Sequence, residues 1–497
     1  MNPRNIPLFR FLTKSVSLKV SPFYGVIMAN PVQPPNTGVR IRPVIFDAFP
    51  ASYQEEIILL HKFFEENGYE LRFSGGAARD MLLGIRITKL KFTTTATPAQ
   101  MIRIFQRENI TRLDRNPESH GRVAIRMNNT PTIKITSLRR CITPEGSCAG
   151  YDFTDEWWLE AARRDFTVNS LFVRLDLSNV SVGRDEQMAC DDRTVSEDQH
   201  SDSSVQGDIY DYFGGVDDLL QGRIRFVGDP SARICEDHLR ILRYFRFHGR
   251  FAKPPELDIH DDDILKVISE NASGLSGIDS ARCWAEFKRI LCFPSTPVLL
   301  QRMSQAGILS YLGFPRTAYL TELTSAWNQG MLNLNPNPVT CLAKLLPNSI
   351  QASRIQRRLK FSRHERKLLA YIIKYRDRYA QFTRNNSLEP FQRELLLSNE
   401  PRREMRDVLG EMMRYLNYDA ELLSRWHNWE PPVFPVTWSQ LHTKWSIPHQ
   451  SINVYLSVLR QQWVDSYCTL SRDQLLSRGN LTVVKELVTR VQPEPVR

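Results

Sequence analysis

The chain has 497 residues, 42% hydrophobic and 24% charged, the balance of a soluble globular protein of roughly three domains rather than of a disordered chain. Lysine and arginine outnumber the acids by 65 to 55, a formal +10 with a pI near 9.2, which favours a polyanionic partner. No apolar run approaches the roughly 20 residues that span a bilayer, and the eight cysteines form no CxxC pair, so neither a membrane protein nor a zinc or disulfide framework is expected.

From the start to Phe46 there is no Asp or Glu, while Arg4, Arg10, Lys14 and Lys19 punctuate an apolar and hydroxyl-bearing stretch. That composition marks residues 1–43 as a mitochondrial transit peptide, and Met28 offers a second start that would yield a cytosolic or nuclear form. A basic tail without structure is the plainer alternative.

Residues 44–227 form an α/β head in which Glu70–Phe73, Arg122–Met127 and Thr132–Thr136 alternate as half-buried strands do. After Phe73 comes Ser74-Gly75-Gly76-Ala77-Ala78-Arg79-Asp80, in which the glycines let the backbone approach a ligand and Arg79 adds a charged donor for phosphate. Gly84 is placed to stop the helix that follows. Next come Lys89-Leu90-Lys91, the run Phe92–Met101, and Lys134 before Ile135-Thr136-Ser137-Leu138-Arg139. A polar cluster, Ala162-Arg163-Arg164-Asp165-Phe166-Thr167-Val168-Asn169, precedes an apolar strand. Residues 178–206 are acidic and serine-rich with too few apolar side chains to pack, a disordered insertion between two strands. Asp211–Leu219 reads as a structural turn leading out of the head.

From about Asp229 the pattern becomes helical, with Ile234, Leu239, Ile241, Leu242 and Phe245 as a buried face. On that helix Asp237 and Arg240, three apart, are expected to be neighbours, with Arg243 and Arg246 further along. A helical neck over 228–295 ends with Gly274–Leu291, and residues 296–497 make a helical body and tail whose basic stretch Arg354–Lys367 suits RNA phosphates or is a solvated face. Asp258 to Asp263 is read as solvated loop acids.

These runs, in this order, resemble the signatures of the class II tRNA nucleotidyltransferases (CCA-adding enzymes) and poly(A) polymerases of the polymerase β superfamily. The likeness extends from about residue 44 to near the C-terminus and is strong up to Leu291. It implies an α+β chain, with a polymerase β-like head followed by an all-α neck, body and tail. It also implies a site that binds CTP and ATP and extends tRNA. Gly75, Gly76, Arg79, Arg164, Asp165, Asn169, Arg243 and Arg246 would then hold nucleotide, and Asp237 with Arg240 would select the edges of C and A.

The family carries Asp-x-Asp where this chain has Lys89 and Lys91, and a third acid where it has Lys134. It usually has Glu at the place of Ala281, a milder departure. Two-metal nucleotidyl transfer needs hard oxygen ligands, which a protonated lysine, all donor and no acceptor, does not supply. Three acids at these positions would make the formal charge +4 instead of +10. The expectation is therefore a catalytically silent member that keeps tRNA, CTP and ATP binding, with no catalytic residue, metal site or productive Mg²⁺. An active enzyme with unidentified carboxylate ligands and a non-catalytic RNA-binding scaffold are the other readings.

Overall fold

The computed structural model describes residues 39–46, 54–85, 87–114, 121–128, 130–141, 151–176, 205–252, 260–315, 320–383 and 386–491. Most of the leader, Met28, the acidic insertion up to 204, and Asp258 lie outside these residues.

The head is a mixed sheet with helices against it. In chain order it runs β1 (Arg40–Phe46), α1 (Gln54–Glu66), β2 (Leu71–Ser74), α2 (Gly76–Leu82), β3 (Lys91–Thr94), α3 (Pro98–Arg107) and β4 (Thr111–Arg112). There follow β5 (Arg122–Arg126), β6 (Ile133–Ser137), β7 (Arg139–Cys141), β8 (Tyr151–Phe153), α4 (Trp157–Ala162), β9 (Phe172–Asp176), β10 (Val205–Asp211) and α5 (Gly215–Leu220). Eight strands pair in the order β1-β10-β9-β2-β3-β6-β5-β4, and β7 pairs with β8. Among these described strands β3 and β6 make the parallel pair, with Lys91 opposite Lys134.

Residues 40–43, assigned to the leader from composition, belong to the edge strand β1, which pairs with β10 from Arg40↔Asp211 to Phe46↔Val205. A basic edge strand and a basic leader look alike when acids are absent from both. β9 and β10 flank the acidic insertion and pair with each other, so that segment leaves and re-enters at one end of the sheet.

The expected alternation holds for β6 and fails for β2, all four residues of which are buried. The strand is central, and Arg72 is accommodated by stacking over the rings of Trp157 at 3.9 Å and Tyr210 at 3.7 Å, with Glu70 Oε2 at 2.6 Å. Thr97 and Gln100 form a capping box with Pro98 in the first turn, which starts α3. At the other end of α2, Gly84 at φ +63° and the bond from Ile85 N to Asp80 O close the helix as the sequence leads one to expect.

His61 of α1 is buried against the rings of Phe73 and Phe92, and its Nε2 has no hydrogen-bond partner among the described residues. Burial, with Arg174 nearby, holds the imidazole pKa down at about 3. The unfolded chain therefore takes up this proton first as pH falls below about 6.5, and stability drops by roughly 1.4 kcal/mol per pH unit, about 2 kcal/mol by pH 5. Urea denaturation across this range should show that loss in the wild type and not in His61→Phe. An equal slope in both proteins would assign the loss to other groups.

The chain leaves the head through α6 (Pro230–Glu236) and α7 (Leu239–Phe251), then α8 (Asp262–Asn271) and α9 (Ser280–Ile290), and continues as helices to Val491. The neck does not close a core of its own. Ile234, Leu242, Phe245, Trp284 and Phe287 share one apolar cluster with body residues as far as Trp426, and Leu396 to Val488 make a separate tail cluster. Asp261 to Asp263 are exposed, as expected, but Asp262 and Asp263 lie in the first turn of α8 instead of a loop. Asp261 caps α8 by accepting from Asp263 N and Ile264 N, and Asp262 and Asp263 face the positive end of the helix dipole. No described helix is long and apolar enough to cross a membrane.

Candidate nucleotide-binding cleft

Where head meets neck a cleft of about 1240 Å³ opens. It is lined by Gly75, Gly76, Arg79, Lys89, Lys91, Arg164, Asp165, Asn169, Asp237, Arg240, Arg243 and Arg246, so every nucleotide-binding residue expected from the sequence meets there. Residues not singled out from sequence also line it, among them Asp80, Phe247, Arg250, Glu286, Lys288 and Arg289.

The turn after β2 is tight. Gly75 has φ +60°, which favours glycine, and a Cβ on it would crowd Arg164 Nη1 at 3.0 Å and Asn169 O at 3.3 Å. Arg79 is buried. It donates to Asn169 Oδ1 and to Asp80 Oδ1 at 2.8 Å, beneath the rings of Phe247 and Phe251. Asn169 Nδ2 donates to Asp165 Oδ1 at 3.0 Å, and Arg243 Nε donates to Asp165 Oδ2 at 2.7 Å. Burial pushes the Asp165 carboxyl up, but Arg243, Asn169 and the Phe166 N–H outweigh it and hold the pKa below the usual carboxylate range. Asp165 thus ties the glycine turn, through Asn169 and Arg79, to the neck helix α7.

Further along α7, Arg246 pairs with Glu286 of α9 at 2.9 Å. Burial lowers the Arg246 pKa to about 10, so it stays charged at neutral pH. Arg164 pairs with Glu160 at 3.0 Å, and its backbone carbonyl accepts from Arg233 Nη2 at 2.5 Å.

Asp237 and Arg240 are not paired on one helix face. The helix expected over 233–247 breaks at Asp237, which is extended at φ −156°, and the Asp237 carboxylate accepts from Leu239 N at 3.2 Å to start α7. Asp237 then pairs with Arg282 of α9 at 2.6 Å, and Arg240 with Glu236 at 2.5 Å. Both side chains still face the cleft. At the break a Cβ on Gly274 would lie 1.9 Å from the His238 ring, so the segment after Asp237 packs closely on the 272–277 turn.

Asp211–Leu219 is structural, as expected. The Asp211 carboxylate accepts from Phe213, Gly215 and Val216 N–H groups, and Asp218 is buried with Thr167 Oγ1 at 2.6 Å and Arg225 Nε at 2.8 Å. Ala281 is exposed in the first turn of α9, so the missing Glu there removes no buried partner. In the basic stretch 354–367, Arg358 donates to Leu275 O and Tyr311 O and Lys367 pairs with Glu400, which leaves fewer free charges for RNA than the sequence suggests.

The three lysines converge. Lys89 precedes β3 instead of lying on it, yet it lines the cleft with Lys91. Lys91 and Lys134 are Cα partners on the parallel strands, and Leu90 O accepts from Lys134 N at 3.0 Å. Burial pushes the Lys91 ammonium pKa down, and Arg164, Lys89, Lys134 and Arg243 add to it. Such a donor-only set does not fit Mg²⁺, and among the described residues no three His, Cys, Asp or Glu side chains gather as metal ligands.

Two family models match the chain, the poly A polymerase head domain over residues 71–185 and a probable RNA and SrmB-binding site of polymerase A over 260–320. The chain is 33% identical to the mitochondrial CCA tRNA nucleotidyltransferase 1 of Danio rerio over 86% of its own length and 91% of the relative, with the same figures for the Homo sapiens protein. Its fold is similar to that of the Bacillus stearothermophilus CCA-adding enzyme in complex with CTP, with TM-score 0.62, 19% identity, 89% of this chain and 99% of that one covered. The Thermotoga maritima CCA-adding enzyme complexed with tRNA shares it too, with TM-score 0.56, 16% identity and coverage of 90% and 97%.

Proposed function

Because the chain belongs to the family of class II CCA-adding enzymes and poly(A) polymerases, we propose that it is a member that holds CTP or ATP and tRNA in the family's manner without joining them. The observation that carries this reading is the facing of Lys91 and Lys134 on adjacent parallel strands, with Lys89 beside them, where the family's carboxylates stand. In the family, divalent metal activates the attacking hydroxyl and steadies the departing pyrophosphate. The residues of this chain bind and orient. Gly75 and Gly76 admit the phosphates, Arg79 and Arg164 grip them, and Asp165 and Asn169 fix the arginines. Asp237 and Arg240 offer an acceptor and a guanidinium to the base edge. The named relatives are mitochondrial, and with the acid-free first 46 residues they support import of this chain into mitochondria.

Equilibrium dialysis against the four labelled nucleoside triphosphates tests the binding half. CTP and ATP should be retained roughly tenfold better than GTP and UTP, since a mismatched base edge gives Asp237 and Arg240 no hydrogen bond to add to their pairs with Arg282 and Glu236. Equal retention of all four would remove the selective role of Asp237 and Arg240. Retention of none, with tRNA still bound, would favour an RNA-binding scaffold.

A further inference from the structure

The cleft lining carries eleven Lys and Arg side chains against five Asp and Glu, an excess of six positive charges. Most of these cations have a carboxylate partner, in several cases a shared one. Each arginine of the lining and Lys288 has a carboxylate within 4.0 Å, in Asp80, Glu160, Asp165, Glu236, Glu286 or Glu365. Lys89 and Lys91 have none, nor does Lys134 beside them, among the described residues.

We propose that Lys89, Lys91 and Lys134 serve as built-in counter-cations, so that the cleft takes a nucleoside triphosphate as its metal-free anion and divalent cations compete with binding instead of promoting it. This rests on the non-catalytic reading above and specifies the ligand form that such a site accepts. Three ammonium groups, from β3, from the residues just before it and from the neighbouring β6, with Arg164 near Lys91, repel one another until an anion arrives. The counter-charge has to come from solution. A free triphosphate brings about four negative charges, whereas its magnesium complex brings about two and places a further cation against the lysines. The bare backbone at Gly75 leaves room for the phosphate chain beside Arg164.

The test is isothermal titration of the full-length protein with ATP and CTP at constant ionic strength, once in EDTA and once in excess Mg²⁺. Inorganic tripolyphosphate provides a third ligand that lacks a base. Binding should be at least about tenfold tighter in EDTA, with tripolyphosphate showing the same preference. Lys91→Ala with Lys134→Ala should abolish the preference, and Lys→Arg at both positions should keep it, which separates lost charge from lost fold. Tighter binding in Mg²⁺, or equal binding in both, would overturn the proposal. Failure of the non-catalytic reading would show elsewhere, as extension of tRNA in a separate assay whichever way the titrations fall.

Discussion

Exchange of the three lysines together, Lys89→Asp, Lys91→Asp and Lys134→Glu, should give the chain Mg²⁺-dependent addition of C and A to tRNA, roughly a thousandfold above the unaltered protein. The other residues of the proposed site already line one cleft. The Arg79, Asn169, Asp165 and Arg243 chain joins turn to neck, and Arg164 and Arg246 are held by Glu160 and Glu286. The exchange lowers the formal net charge from +10 to +4 and places acceptors on the adjacent strands β3 and β6, which pair about 4.8 Å apart. Any single exchange leaves two ammonium groups beside one carboxylate, an arrangement that pairs internally instead of holding a cation, and should give no activity. Labelled nucleotide incorporation into tRNA lacking its 3′ end measures both. Activity from a single exchange would mean that other ligands complete the site.

The second large effect is on stability. Asp165→Ala should destabilise the junction of head and neck by about 2–3 kcal/mol, because it removes the buried acceptor of a partly buried pair and leaves the Arg243 guanidinium without it. Asn169 also loses a partner, and with it the orientation it gives Arg79. Asp165→Asn keeps an acceptor oxygen but not the charge, and its loss should be smaller. Because the folded pKa of Asp165 is depressed, its contribution is complete above the unfolded carboxyl pKa of about 3.9 and fades as pH falls through the lower folded value. The deficit of Asp165→Ala should therefore be constant from pH 5 to 8, as read by guanidinium denaturation. A deficit under 1 kcal/mol would show that Arg243 finds another acceptor.

Features set by local chain chemistry were readable in the sequence. The glycine turn, the stop at Gly84 and the apolar face of Ile234, Leu242 and Phe245 all depend on residues a few positions apart, and the structure places them as expected. What was not readable depended on long-range partners. Glu286 lies 40 positions from Arg246, and no spacing rule joins them. Glu160, by contrast, stands three and four before Arg163 and Arg164, and that helical spacing could have shown it as their partner. The pairing assumed for Asp237 and Arg240 failed for a related reason. The apolar period runs unbroken through Asp237, while the break that sends the two side chains to Arg282 and Glu236 falls where His238 packs over Gly274, a partner distant in sequence. The leader boundary was overrun because the edge strand β1, like the leader, has no acids.

Lys89, Lys91 and Lys134 are expected to abolish nucleotidyl transfer and leave the binding cleft in place. The most direct measurement incubates the purified wild-type chain with tRNA lacking its 3′ end, labelled CTP and ATP, and Mg²⁺ or Mn²⁺, and follows the tRNA at single-nucleotide resolution. The expected result is bound nucleotide and tRNA of unchanged length in both metals. Metal-dependent lengthening of the tRNA by the wild-type protein would contradict the claim.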